Sequence, residues 1–374
     1  MRATLRRQDL DAGEVGAVPL RVSRENAEPG NRRMSADDDF SPLLKRVGSG
    51  QPLDTAESTR AFDAIMSGDI PETRIAAFLT ALAVRKPTVD EIVGAVHSMR
   101  AKMLKIKAPE GAIDLCGTGG DGHGTLNVST AVSFVVAACG VPVAKHGNRN
   151  MSSNTGAADV LEALGVKIDV TPQVAERCLS EAKLCFLFAQ TYHPAMKHVG
   201  PVRRALGFRT IFNLLGPLSN PAGVTRQLMG VFSEEWIDPV AEALRRLGTE
   251  KAWIVHGGDG LDELTTTTHT DIAALTNAGI EHHEIRPRDA GLETATLAQL
   301  KGGSASENAA AINKLLGGER GAFRDIVLLN ASAALIIADK AKNLRDGAAL
   351  AAEAIDSGKA KATLANLAAC SRAA

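Results

Sequence analysis

The sequence predicts an α/β protein in two parts: a small all-helical domain, then a larger α/β domain whose central, mainly parallel sheet is flanked by helices. Three observations predict it. Apolar residues recur at helical spacing from Asp39 to Met103; beyond Pro109 short apolar runs alternate with helix-like stretches; and alanine-rich helical sequence closes the chain from Glu307 to Ala373. Strand and helix in alternation are the pattern of a parallel sheet covered on both faces. The expected boundaries are a disordered tail over 1–36, a helical domain over 37–105, to which a helical segment near 194–220 is a candidate addition, and an α/β domain over 106–374.

The elements follow in order. Met1 to Arg33 is rich in Arg, Glu, Asp, Gly and Pro and has neither helical nor strand period, so it cannot bury enough apolar surface to order itself. Met34, just ahead of the first amphipathic segment, is read as the natural start. Asp54 with Glu57, and Thr88 with Glu91, have the spacing of capping boxes, and Pro71 suits a first helical turn. Ile75, Phe78, Leu79 and Leu82 then form one buried stripe, and Ile92, Val96, Met99 and Met103 another. Ile113–Cys116, Val141–Ala144, Val166–Val170, Leu184–Ala189, Leu228–Phe232 and Ala252–His256 read as strands. Between them Thr130–Cys139, Ala157–Leu164 and Ala241–Leu247 read as helices, each followed by glycine.

Bulk properties exclude several functions. A formal charge of −1 and 3% aromatic residues do not make a nucleic-acid platform, which needs a basic face and rings for stacking. No apolar run reaches the roughly 18 to 20 residues of a membrane helix. Five cysteines, at 116, 139, 178, 185 and 370, form no C-x-x-C pair or metal spacing and read as buried thiols. A soluble, cytoplasmic protein is expected.

Most of the chemistry lies in Gly117–Thr130, GTGGDGHGTLNVST, which sets five glycines among an aspartate, hydroxyls and an amide between an apolar run and a helix. Glycine lets backbone N–H groups approach an anion, and the helix opening at Ser129 or Thr130 adds its positive end. Gly117, Gly119 and Gly122 match the dinucleotide pattern G-x-G-x-x-G, but Lys145-His146-Gly147-Asn148-Arg149 brings cations where a dinucleotide site has a carboxylate. The ligand is therefore expected to be more heavily phosphorylated than a nicotinamide dinucleotide. The pattern G-x-x-x-x-G-K-[ST] occurs nowhere.

Asp262-Glu263, after the strand ending at His256, offers oxygen ligands of the kind Mg²⁺ prefers, while Asp259-Gly260 reads as a turn. His193-Pro194, leading to Arg203, Arg204 and Arg209, reads either as a helix start with surface arginines or as a binding cluster. Asn213–Pro221 is either a hinge or lid or a plain connection.

Taken in order, GTGGDG with NVST, KHGNR with two serines, HPAMK running into VRRALGFRTIFNLLGPLSNP, HGGDGLDELT and GGSASENA form a set. Over roughly residues 40 to 370 the chain closely resembles the anthranilate phosphoribosyltransferase family of tryptophan biosynthesis. The resemblance implies a nucleoside phosphorylase/phosphoribosyltransferase-like fold and a homodimer joined through the helical domain. It also implies transfer of phosphoribose from phosphoribosyl pyrophosphate (PRPP) to the amino group of anthranilate, with Mg²⁺. By the matching motifs, Gly117, Gly120, Asp121, Thr125, Asn127, Ser129, Thr130, Lys145 and Ser153 hold PRPP. Asn148 and Arg203 bind anthranilate, and Ser129, Asp262 and Glu263 ligate the metal. His146 is the candidate acceptor of the amine proton. No fused amidotransferase domain is expected ahead of the helical domain.

The chain departs from the family at Asn150, Met151, Asn154, Thr155 and Ala157, where small or serine residues are usual, so weaker PRPP binding is expected. Two other readings are a pyrimidine nucleoside phosphorylase and a non-enzymatic nucleic-acid-binding relative. Asp262-Glu263 and the stretch from His193 to Arg203 count against the first, and near-zero net charge against the second.

Overall fold

The computed structural model describes residues 36–120, 122–149 and 155–373. The expected tail and the start at Met34 lie outside the described residues, as do Asp121 and Ser153.

Four helices come first: α1 (Ala36–Gly48), α2 (Thr55–Ser67), α3 (Glu72–Arg85) and α4 (Val89–Lys102). The Asp54 and Thr88 side chains accept from the Glu57 and Glu91 amides, and both glutamates reach back to the cap backbone. Glu91 is fully buried and is also held by Arg85. The α/β part follows as β1 (Ile113–Gly117), α5 (Val128–Ala138), β2 (Val143–Gly147), α6 (Ala157–Ala163), α7 (Pro172–Glu181) and β3 (Leu184–Phe188). The short helices α8 (Ala189–Tyr192), α9 (Gly200–Leu206) and α10 (Phe212–Leu218) lead into β4 (Arg226–Gly230), α11 (Ile237–Arg246) and β5 (Lys251–Gly257). A hairpin, β6 (Thr270–Thr276) and β7 (Gly279–Ile285), precedes α12 (Ala305–Leu316), α13 (Ala322–Ile337), α14 (Leu344–Asp356) and α15 (Lys359–Arg372).

The strands form one sheet in the order β3-β2-β1-β4-β5-β6-β7, parallel through β5 and antiparallel beyond it. Side chains alternate across a strand, so the sheet divides two cores. Leu228 and Val255 face a core built from α5 and α12 to α15. Their neighbours Met229 and Ile254 face a second core shared by α1 to α4 and α9 to α11. Strand order reverses direction at β1, which makes the carboxyl ends of β1 and β4 the crevice where ligands bind in such sheets.

Two expectations need correction. Val166–Val170 is not a strand, although Val166, Ile168 and Val170 are buried and Lys167 and Asp169 exposed. The alternation reflects an extended connection from α6 to α7 packed on one side; its Lys167 amide donates to Ser371 Oγ of α15 rather than to a ladder. The hairpin β6–β7 was not expected. β7 is an edge strand exposed on both faces over Glu281–Glu284, so it has no apolar period to read.

Candidate active site

Gly117 and Gly230 stand opposite each other at the carboxyl ends of β1 and β4. A Cβ on Gly117 would lie 2.2 Å from Asp262 Oδ2, and one on Gly230 would lie 1.6 Å from the Asp262 backbone oxygen. Glycine at both strand ends is what lets the loop after β5 drop into the crevice. Once there, Asp262 Oδ2 accepts from the Gly119 amide at 2.7 Å, and Glu263 Oε1 accepts from the Ser129 amide at 3.1 Å in the first turn of α5. Carboxylates thus occupy the anion-seeking positions of the glycine loop and of a helix N-terminus. Gly119, Gly120, Gly122 and Gly124 all have positive φ, between 62° and 81°, the left-handed backbone state found in loops that bind anions through their amides.

Lys145 on β2, only 3% exposed, extends toward the start of α5. Its Nζ donates to Leu115 O at 2.5 Å and to Ser129 Oγ at 3.1 Å. Asn127 Oδ1 accepts from Asn308 Nδ2 at 2.8 Å, which ties the start of α5 to α12. Thr125 forms a bridge with Lys301, and Thr130 Oγ1 is buried with no hydrogen-bond partner among the described residues. Gly120 O accepts from Arg209 Nη2 at 2.5 Å, and the Arg209 guanidinium lies 4.5 Å from the Phe232 ring centre.

The structure therefore gathers Gly117, Gly120, Ser129, Lys145, Asp262 and Glu263 at one crevice. Asn148 and Arg203 stand apart from those bonds. Asn148 Oδ1 accepts from the Arg149 amide at 2.8 Å, and Arg203 on α9 lies over the Phe212 ring at 5.7 Å. Burial lowers the Arg203 pKa from its ordinary value. Both ring nitrogens of His146 are engaged within the protein, Nδ1 with Gly216 O at 3.0 Å and Nε2 with His193 Nε2 at 3.2 Å. Thr155 Oγ1 donates to Gly303 O at 2.7 Å. Asp259 accepts from the Thr265 and Thr267 hydroxyls and the Leu261 amide, as a turn residue does.

Sequence reasoning missed Asp114. It is fully buried on β1, its Oδ1 accepts from the His146 amide at 3.0 Å, and burial raises its pKa against the opposing pull of Asn220 and Lys145. The signal was a carboxylate inside an apolar strand. Arg209 was read only as part of a cluster with Arg203 and Arg204, without its Gly120 partner, and Gly230 was missed, because their partners lie 89 and 32 residues away in sequence.

Oxygen ligands beside an amide-lined cradle and a buried lysine suit a phosphorylated substrate with a hard cation. Residues 41–103 match the glycosyl transferase family helical bundle domain, and residues 109–361 match the glycosyl transferase family a/b domain. An anthranilate phosphoribosyltransferase of Rhodopseudomonas palustris (strain HaA2) is 57% identical over 336 residues, which cover 90% of this chain and 99% of that protein. The chain belongs to the anthranilate phosphoribosyltransferase family. Among solved members of that family, the Thermus thermophilus protein superposes with a TM-score of 0.84 at 42% identity, covering 88% of this chain and 99% of that one. The Saccharomyces cerevisiae protein in complex with PRPP and Mg superposes with a TM-score of 0.83 at 28% identity, covering 89% and 97%. The same yeast protein in complex with 4-fluoroanthranilate gives a TM-score of 0.82 at 26% identity, covering 91% and 99%. No helix among the described residues is long and apolar enough to cross a membrane.

Proposed function

We propose that this chain transfers the 5-phosphoribosyl group of PRPP to the amino group of anthranilate, giving N-(5-phosphoribosyl)anthranilate and pyrophosphate, in tryptophan biosynthesis. The observation that carries the reading is the pair of carboxylates, Asp262 and Glu263, lodged on the Gly119 and Ser129 amides beside Lys145. Two carboxylates cannot share that cradle with pyrophosphate unless a cation lies between them. Asp262, Glu263 and Ser129 Oγ are the oxygen ligands proposed for Mg²⁺, which fits a donor set free of nitrogen and sulfur. When bound, the ion supplies positive charge to the departing pyrophosphate.

The remaining steps belong to the chain. Amides from Gly117 to Gly120, the side chains of Asp121, Thr125, Asn127, Thr130 and Ser153, and Lys145 hold and orient PRPP in this reading. Preformed donors aimed at the leaving group stabilise it more than water would. Asn148 and Arg203 receive anthranilate, the guanidinium matching its flat carboxylate. An aromatic amine is mostly unprotonated near neutral pH and needs no strong base, so positioning supplies much of the acceleration.

The division into a helical domain over 37–105, extended by residues near 194–220, and an α/β domain over 106–374 is likewise our proposal. It is supported by Val199, Val202, Phe212 and Leu215 sharing the core of α1 to α4. A homodimer joined through the helical domain and a cytoplasmic location complete the reading. Val84 on α3, 82% exposed, is the most open large apolar side chain among the described residues.

Loss of anthranilate fluorescence tests the reaction. Consumption should require both PRPP and Mg²⁺. Consumption without PRPP, or phosphorolysis of a pyrimidine nucleoside in its place, would refute it.

A further inference from the structure

A helix leaves its last carbonyls without intrahelical donors. At the end of α10, where Gly216 O already accepts from the Ser219 amide at 3.1 Å, the carbonyls are also met by side chains from three other elements. Gly216 O faces His146 Nδ1 of β2 at 3.0 Å, Pro217 O accepts from Gln227 Nε2 of β4 at 2.8 Å, and Leu218 O accepts from Arg100 Nε of α4 at 3.0 Å. A carbonyl can only accept, so the proton of the first contact sits on His146 Nδ1. A neutral imidazole has one N–H, which leaves His146 Nε2 bare.

That bare nitrogen lies 3.2 Å from His193 Nε2, the rings tilted at 52° with centres 5.0 Å apart. His193 must then carry its own proton on Nε2 and donate it. Its Nδ1 makes no hydrogen bond of good geometry among the described residues, although the Ser219 backbone lies near enough to favour a proton on the ring. Burial keeps both rings neutral, pulling His146 down to about 3 and His193 to about 4; the Ser219 backbone only partly opposes the second shift. With those protons the chain runs from His193 Nε2 to His146 Nε2 and from His146 Nδ1 to Gly216 O.

We propose that His193 is a positioning residue that uses the one lone pair of His146, making His146 a fixed link between β2, α10 and α8 instead of the acceptor of the amine proton. The link bears on the anthranilate side of the site. His146 stands two residues before Asn148, and His193 ten before Arg203. The pair joins the two segments that carry them, and this step rests on the assignment of Asn148 and Arg203 made above.

Selective ¹⁵N-histidine labelling of the full chain reads the tautomers, with His146→Asn and His193→Phe assigning the signals. At pH 7 His146 should show a protonated Nδ1 and a bare Nε2, and His193 the reverse. Leaving a buried acceptor unsatisfied costs enough that His193→Phe should raise KM for anthranilate by about tenfold, with KM for PRPP moving less than about threefold. His193→Gln, which restores an N–H for His146, should recover most of the loss. His146→Asn keeps a donor for Gly216 and has no titrating nitrogen; its kcat should fall by less than about tenfold with the shape of its pH profile kept, whereas loss of a general base costs about 10²- to 10⁴-fold. A bare Nδ1 on His146 in the wild-type spectrum overturns the proposal, as does a hundredfold fall in kcat for His146→Asn with loss of the acidic limb. Expected tautomers together with equal changes in both KM values would overturn the link to the acceptor side and, with it, the roles given to Asn148 and Arg203, while leaving the transfer reaction itself standing.

Discussion

Arg203 carries a charge that no described side chain neutralises: it has an aromatic ring beneath it, at 5.7 Å, and no hydrogen-bond or ion-pair partner among the described residues. Arg149, four residues beyond Lys145, is the contrast, since Asp159 and Glu162 hold it at 2.5 and 2.6 Å. A guanidinium withdrawn from water and left unpaired suits an anionic ligand, and a paired one suits the fold. Arg203→Ala removes a charge-assisted, two-pronged contact, so KM for anthranilate should rise about 10- to 100-fold with little change for PRPP. Steady-state kinetics with each substrate varied checks it; equal losses for both would refute the role. The sequence showed a pair of arginines but could not say which of them had a partner, because partnership depends on residues far along the chain.

β1 and β4 both end in glycine for a reason that belongs to the loop after β5 rather than to either strand. A methyl at position 230 would meet backbone, which cannot swing aside as a side chain can. Gly230→Ala should therefore displace Asp262, lower stability by about 1–3 kcal/mol as overpacking does, and raise the Mg²⁺ concentration needed for half-maximal activity. Thermal unfolding beside a Mg²⁺ titration measures both effects; an unchanged Mg²⁺ requirement would show that the loop does not set the metal site. At this scale local signals served well where the cause was local. The capping boxes at Asp54 and Thr88 were legible because both partners lie within four residues. Val166–Val170 was misread because a one-sided burial pattern is the same whether the other edge meets a strand or a helix.

Across the whole molecule the sheet puts alternate residues of β4 and β5 into two cores, one shared with α12 to α15 and the other continuous with α1 to α4. Trp236 lies in the second core, and Trp253 packs against the first. Because Met229 and Leu228 are neighbours on one strand, neither core can open without disturbing the other. Urea unfolding should give coincident transitions from single-tryptophan variants that keep one or the other indole. The proposed homodimer further requires the midpoint to rise with protein concentration. Separate transitions would show an independently stable helical part, and a midpoint independent of concentration would count against the dimer.

What the sequence by itself determined was the α/β class, the helical lead-in, the glycine loop with its following helix, and the acidic pair, since each is written in spacing over a few residues. Only the tertiary structure decided that Asp262 and Glu263 rest on the Gly119 and Ser129 amides, that His146 Nε2 meets His193, and that Arg203 has no partner among the described residues beyond the Phe212 ring. Those facts turn on which distant segments meet at the ends of β1, β2 and β4. The glycine loop announces that an anion is wanted; the crevice at the reversal of strand order brings the carboxylates to it, and long-range packing rather than local spacing sets that geometry.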